Sequence, residues 1–290
     1  MRKVGSGRPA KILTPKVLDN IKKKIDNSDD LSFNQVAKRL NCHRTHVSQT
    51  HRTKCGIKHR KKVKCPKYKS DEELNLAKSL CSRLERQFRN KIVIQDDETY
   101  IELSNTANDS FKSSNPQEAP REIKYKEKQK FCPKIMVWMA GSERGRSEVF
   151  IKPKNNAMDS NMYQKFCLPK LKEFIDRYHS DGNYVFWPDK ASSHYAKSTI
   201  NELTRLGINF VAKEDNPTNV PQARPIEDFW ALLKAKVWAT KNPPQNLVQL
   251  GRRVKYCVKN IDDDLARRTF GSTKKRARLC ARENVLSAIH

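Results

Sequence analysis

Ile92-Val93-Ile94-Gln95-Asp96-Asp97-Glu98-Thr99-Tyr100 is the stretch from which the fold of this chain is read. A β-branched apolar run leads into three acids, the pattern of a buried strand that carries carboxylates at its end. Two further acids have equally distinctive flanks. Asp189 follows Tyr184-Val185-Phe186-Trp187-Pro188 and is trailed by His194, and Glu227 lies in the helical pattern Pro225-Ile226-Glu227-Asp228-Phe229-Trp230. Asp97, Asp189 and Glu227 are expected to form one metal site. Carboxylates are the hard oxygen ligands that Mg2+ takes while keeping several waters, so two or three suffice. Two ions held this way, Mg2+ or Mn2+, form a clamp for in-line attack on a phosphodiester. Asp96 and Glu98 flank Asp97, but strand alternation puts both on the opposite face. Asp228 is likewise rotated away from Glu227 on its helix.

Outward from this stretch, strand-like runs fall at 91–95, 99–103, 134–140, 148–151, 184–187 and 208–211. Helical patterns fall near 159–178, 195–206 and 226–238, and residues 104–130 read as a polar surface excursion. Strands first, then strands alternating with helices, predict an α+β fold: a mixed sheet flanked by helices in the ribonuclease-H-like arrangement, over residues 91–245. Residues 61–90 read as a basic linker followed by an amphipathic helix, Asp71 to Phe88, with Leu74, Ala77, Leu80, Cys81, Leu84 and Phe88 inward. Residues 246–290 read as a basic helical extension.

The N-terminal part has a different character. The chain carries a net charge of +27, and residues 1–69 hold 20 Lys/Arg against 4 Asp/Glu. Such a block suits a polyanion, and neutralising phosphates releases counterions, so binding should weaken steeply with salt. The alternative is a solvated basic surface. Over this block lie three short helical patterns. Thr14-Pro15 starts the first, Ser32 caps the second, and His43 to Lys54 forms a polar third after a turn at Asn41-Cys42. Residues 1–60 are therefore expected to hold a helix-turn-helix module, with Arg44, Thr45, Ser48, Gln49 and Arg52 facing the major groove. Gly7-Arg8-Pro9-Ala10-Lys11 is a flat strip that fits Arg8 and Lys11 to an A·T-rich minor groove.

The eight cysteines show no tight pairing pattern, and no apolar run approaches a membrane span of ~20 residues. A reduced intracellular protein without membrane contact is the expectation. Cys42, His43, His46, His51, Cys55, His59 and Cys65 raise a zinc alternative, but no C-x2–4-C pair exists among them.

The chain resembles the DDE transposases of the Tc/mariner superfamily. The likeness rests on Asp96-Asp97-Glu98-Thr99-Tyr100, on Asp189 with His194, and on Pro225-Ile226-Glu227-Asp228-Phe229-Trp230 followed by residues 232–238. Residues 134–153 and 155–171 resemble the family's central strands and the helix after them, and the likeness runs from about Gly5 to the C-terminus. It implies cut-and-paste transposition: metal-dependent cleavage of double-stranded DNA at terminal inverted repeats, then strand transfer into target DNA. It also implies a homodimer on paired ends, TA target sites and a nuclear location. The family's first ligand stands directly before a Glu, which again selects Asp97. A strip like Gly7-Arg8-Pro9 joins two helix-turn-helix units in the family, so only the second is expected here.

His194 has three expected roles: touching the scissile phosphate, orienting a water, or capping the following helix. Departures from the family pattern are Lys190 for an Asn, Gln222-Ala223-Arg224 for Asp-Leu-Asn, Met139 for a Gly, and a longer interval from Asp189 to Glu227. The alternative reading is a decayed or domesticated transposase-derived protein that binds specific DNA without cutting it.

Overall fold

The computed structural model describes residues 14–25, 32–54, 65–104, 113, 115, 117–125, 130–152, 157–283 and 285–288. The chain divides into two units, 1–64 and 65–290. In the first, α1 (Pro15–Ile25), α2 (Phe33–Arg39) and α3 (Arg44–Lys54) close on Val36, Ala37 and Val47, with Val17, Leu18, Phe33 and Leu40 packed against them. Ser32 starts α2 through a reciprocal cap: its hydroxyl accepts from the Gln35 N–H, and the Gln35 side chain accepts from the Ser32 N–H. Asn41 takes φ 48° in the turn before α3, a conformation asparagine tolerates better than most residues.

The second unit opens with α4 (Asp71–Phe88), capped by Ser70 and carrying Asp71, Glu72 and Glu73 at its positive end. The sheet follows: β1 (Ile92–Glu102), then after α5 (Arg121–Lys124), β2 (Lys134–Ser142), β3 (Gly145–Arg146) and β4 (Phe150–Lys152). Next come α6 (Ser160–Met162), a π-helical turn at Tyr163–Cys167, α7 (Leu168–Tyr178), β5 (Tyr184–Trp187) and α8 (Lys197–Arg205). A 3-10 turn at Pro221–Ala223 leads into α9 (Ile226–Trp238). It is followed by α10 (Leu247–Lys259), α11 (Asp263–Gly271) and α12 (Thr273–Arg282). The strand order is β3-β2-β1-β5, with β4 also on β2. β1 is antiparallel to β2 and parallel to β5, giving the expected mixed sheet.

Both faces of the sheet are covered. Ile94, Trp138 and Ala140 pack under Leu168, Leu171 and Phe174 of α7. On the other face, Ile101, Ile135, Val137 and Met139 meet Phe229, Trp230 and Leu233 of α9 and residues of α10 and α11. Each such apolar side chain contributes roughly 1.5–3 kcal/mol by leaving water. Ala77, Cys81, Leu84 and Phe88 of α4 join Ala277, Cys280 and Ala281 of α12 over Val93, Val185 and Trp187. The helix read as following a linker and the helices read as an extension therefore belong to one core with the sheet. Their sequence separation hides this; their shared burial requires it.

Two sequence readings are corrected. The runs 91–95 and 99–103 are one strand, because β2 pairs with β1 straight through the acids, from Gln95↔Gly141 to Glu102↔Lys134. The run 208–211 is not a strand but a single bridge, Phe210 to Phe186.

The tightest spot in the sheet is Gly141. A Cβ there would lie 2.3 Å from the Phe270 ring of α11. Gly141→Ala is expected to cost about 1–3 kcal/mol of stability through overpacking. Phe270→Leu alone should also destabilise, yet the pair should cost less than the sum. Additive losses in a denaturant titration would refute the clash.

Candidate active site

The strand pairing positions the first two carboxylates. The parallel register ends at Gln95↔Trp187. Carried two residues further, it sets Asp97 level with Asp189, beside each other where β1 continues and β5 has ended. With no strand pairing on the β5 side there, the side chains have room to converge. One carboxylate oxygen each from Asp97, Glu98 and Asp189 lies within 4.8 Å of the others. Among the described residues it is the only group of its kind; of the zinc alternative, Cys55, His59 and the His51 side chain lie outside the described residues.

This group differs from the expected set. Glu98, set aside by alternation, belongs to it; Glu227 does not. Alternation fixes where a Cβ points, but the longer Glu98 arm reaches past the end of the β5 pairing. There His194 Nε2 lies 3.4 Å from its Oε1. Glu227 sits in the first turn of α9 and acts on the group through its charge. Three residues on, Trp230 Nε1 donates to Asp97 Oδ2 at 2.8 Å, so α9 fixes the orientation of the first carboxylate. Asp228 turns outward to pair with Arg276. Asp96 is fully buried, and its Oδ2 accepts from the Tyr163 hydroxyl at 2.6 Å and Trp138 Nε1 at 3.0 Å. It is a structural acid beneath the sheet.

The crowding has an electrostatic signature. Burial pushes Asp97 up to about 7, reinforced by Glu227 and Glu98 and opposed by Arg224 and the Trp230 bond. Burial also raises Glu227, with Arg224 and Lys234 opposing and Asp189 adding. Glu98 Oε1 is buried, with His194 Nε2 as its polar neighbour at 3.4 Å. Converging hard oxygens and a proton held near neutral pH form a donor set that fits a divalent cation.

His194 is 1% exposed, so it lies under the carboxylates, out of reach of a phosphate at the surface. It does not cap α8, whose N-cap is Ala196 without a side-chain bond. Instead its Nδ1 lies 3.0 Å from the Asp189 carbonyl oxygen and its Nε2 faces Glu98 and, at 3.8 Å, Asp96. Burial disfavours its charge, but Asp96, Glu98 and Asp189 outweigh this and raise it to about 9. A cationic His194 ties the loop carrying Asp189 to the strand carrying Glu98.

Sequence reasoning missed Arg224. Arg224 is 7% exposed, and its guanidinium gathers carbonyls from both strand tracks. It donates to Asp96 O at 2.6 Å, Pro188 O at 3.2 Å and Trp187 O at 3.3 Å, while stacking over the Trp187 ring. The only sequence signal was its departure from the family pattern before Pro225. Lys190, another departure, donates to the Asn216 carbonyl.

In the first unit, Arg44, Thr45 and Gln49 are exposed on α3 and Ser48 is half-buried. The His43 ring caps α3 by accepting from the Thr45 N–H. Arg52 lies on α3, though its side chain is outside the described residues, as are Arg8 and Lys11 altogether.

No family model matches the chain. It is 28% identical over 131 residues to the Transposable element Tc3 transposase of Caenorhabditis elegans; the match covers 45% of this chain and 38% of that protein. The fold is that of solved Mos1 transposase complexes. One, the paired-end complex with left transposon end, has a TM-score of 0.74 at 18% identity, covering 95% of this chain and 80% of that one. A Mos1 mariner paired end complex with Mn has a TM-score of 0.75 at 17% identity, covering 97% and 81%. The catalytic domain of Mos1 mariner transposase alone has a TM-score of 0.54 at 15% identity, covering 75% and 96%.

Proposed function

We propose that this chain, similar over part of its length to the Tc3 transposase and in fold to Mos1 transposase, is a Tc/mariner cut-and-paste transposase. It would cleave DNA strands at terminal inverted repeats with divalent metal and transfer them into target DNA. The observation that carries this reading is the convergence of Asp97, Glu98 and Asp189 within 4.8 Å where two parallel strand tracks meet. A protein that only bound DNA would gain nothing from burying such mutually repelling carboxylates.

Asp97, Glu98 and Asp189 would hold the metal, with Glu227 at its margin. When bound, a divalent ion lowers the pKa of an attacking water or 3′-hydroxyl and stabilises the leaving oxygen. Trp230 holds Asp97 in one rotamer, His194 holds Glu98 and the Asp189 loop, and Arg224 keeps the two strands in register. Mg2+ is the proposed ion and two per site the proposed number. Support comes from the four acids available and from Mos1 complexes described with Mn and with Mg. The Mos1 paired-end assemblies likewise support double-stranded DNA as partner and a homodimer on paired ends. TA target sites and a nuclear location complete the proposal, on the family resemblance.

The test is nicking by the full chain of a duplex carrying the element's own terminal repeat, with Mg2+ or Mn2+ and with chelator. Metal-dependent cuts at the repeat boundary are expected. Specific binding without cutting in either metal would instead support the binding-only protein.

The first unit would select the site. Arg44→Ala and Gln49→Ala on α3 should reduce preference for the cognate end more than bulk affinity, by about 1–3 kcal/mol of discrimination each. Equal losses on cognate and random DNA would mean that α3 does not read bases.

A further inference from the structure

A cleft of about 700 Å³ opens on the sheet edge away from the carboxylates, between β3 and β4, α7, α10 and α11. Seven basic residues line it against three acids. Two of those acids are already neutralised: Arg146 holds Asp263 at 2.7 Å and Lys170 holds Glu148 at 3.1 Å. Arg177 on α7 and Lys255 and Lys259 on α10 are exposed. Among the described residues, no carboxylate lies within ion-pair range of these three. The two lysines stand one turn apart, roughly 6 Å along α10. Arg252 extends the same face at the helical spacing, so the cationic stripe runs out of the cleft along the helix.

We propose that this edge binds the phosphate backbone of a segment of duplex DNA, separately from the DNA read by the first unit. The three free groups are cations set to meet phosphate oxygens, so the proposed contact is an electrostatic one to the backbone rather than to base edges. A cationic edge on a protein of net charge +27 is complementary to the densest polyanion it meets. The edge is two strand spacings from β1, about 10 Å, near enough for the bound backbone to hold DNA against the site. The choice of DNA as the polyanion rests on the transposase reading; the cationic edge itself does not.

The experiment combines Arg177→Glu, Lys255→Glu and Lys259→Glu in the full chain and measures binding to random-sequence duplex across a salt series. A second chain carries Gln at the same three positions. A control chain carries Lys69→Glu, Arg86→Glu and Arg89→Glu, an equal charge change on exposed residues elsewhere. Each lost phosphate contact lowers the slope of log K against log salt by about 0.9, so the Glu variant should lose about 2–3 and bind roughly 10- to 100-fold more weakly. The Gln variant should lose about as much slope with a smaller drop in affinity, and the control markedly less. An unchanged slope in both variants, an equal loss in the control, or displacement of the DNA by poly-glutamate at matched charge would each overturn the proposal. Nicking is scored on the same preparations. Cutting by the wild-type chain with an unchanged slope in the variants removes the edge site alone, whereas a lowered slope in the variants with no cutting by the wild-type chain removes the cleavage reading alone.

Discussion

An Asp97→Asn chain will cut no DNA, yet at pH 8 without divalent ions it will survive heating better than the wild type. The loss of cutting is the larger effect. Asp97 is the carboxylate around which the group is built, and losing a ligand that supports charge development costs several kcal/mol of barrier, a fall of about 10³ or more in rate. The gain in stability follows from the same crowding. Asp97 is raised from 3.8 to about 7, so the folded chain keeps a proton that the unfolded chain releases. Stability is then full below the unfolded value, near pH 4, and drains away as pH rises through about 7.

The drain is about 1.4 kcal/mol per unit, or up to about 4 kcal/mol, reduced to roughly 2–4 because the site is open on one side. Asn keeps an oxygen for the Trp230 N–H and removes the charge. The two chains should therefore melt together near pH 4 and diverge by about 4–12 °C at pH 8. Millimolar Mg2+ should close that gap by stabilising only the wild type. An equal metal response in both, or a gap that does not depend on pH, would show that Asp97 is not an acid held at cost for a cation.

What the sequence revealed and what it hid divide along a physical line. Local pattern found the long helices α4 and α9. The helix at Asp71–Phe88 and the one at Ile226–Trp238 fall where periodicity and capping residues put them, because those signals act within a few residues. The strand through Asp96, Asp97 and Glu98 looked broken because three acids interrupt its apolar run. What keeps it continuous is pairing with β2, more than thirty residues away. The membership of the carboxylate group was hidden for a related reason. Alternation predicts faces, but it does not register that β5 stops at Trp187, leaving space into which Glu98 turns. The sequence spoke for His194 only as a residue near Asp189. Its burial beneath three acids comes from the loop after β5 folding back under the sheet, which no spacing rule encodes.

Arg224 tests whether the two strands must be tied for the site to work. Removing it as Arg224→Leu strips donors from the Asp96 and Trp187 carbonyls, both buried, while Pro188 keeps a bond from Asn216 Nδ2 at 3.0 Å. The Asp96 carbonyl left without a donor costs about 1–3 kcal/mol, and with the stacking on Trp187 the loss is set at roughly 2–4 kcal/mol. That change is expected to lower the melting point by about 4–12 °C. It does not separate structure from catalysis, and Arg224→Lys does. A lysine keeps the charge, but its single nitrogen cannot span both strands as the planar fork does. Stability should fall only by about 1–2 kcal/mol, while Asp97 and Asp189 lose their fixed separation. Since a misplacement of about 1 Å in a reacting constellation costs about 100-fold, turnover should drop 10- to 100-fold with DNA affinity unchanged. The requirement for divalent ion should rise in step, because the ligands no longer meet without it. Wild-type turnover in Arg224→Lys would show that the charge alone suffices. Turnover that falls only as far as the folded fraction falls would make Arg224 a brace for the core with no bearing on the site.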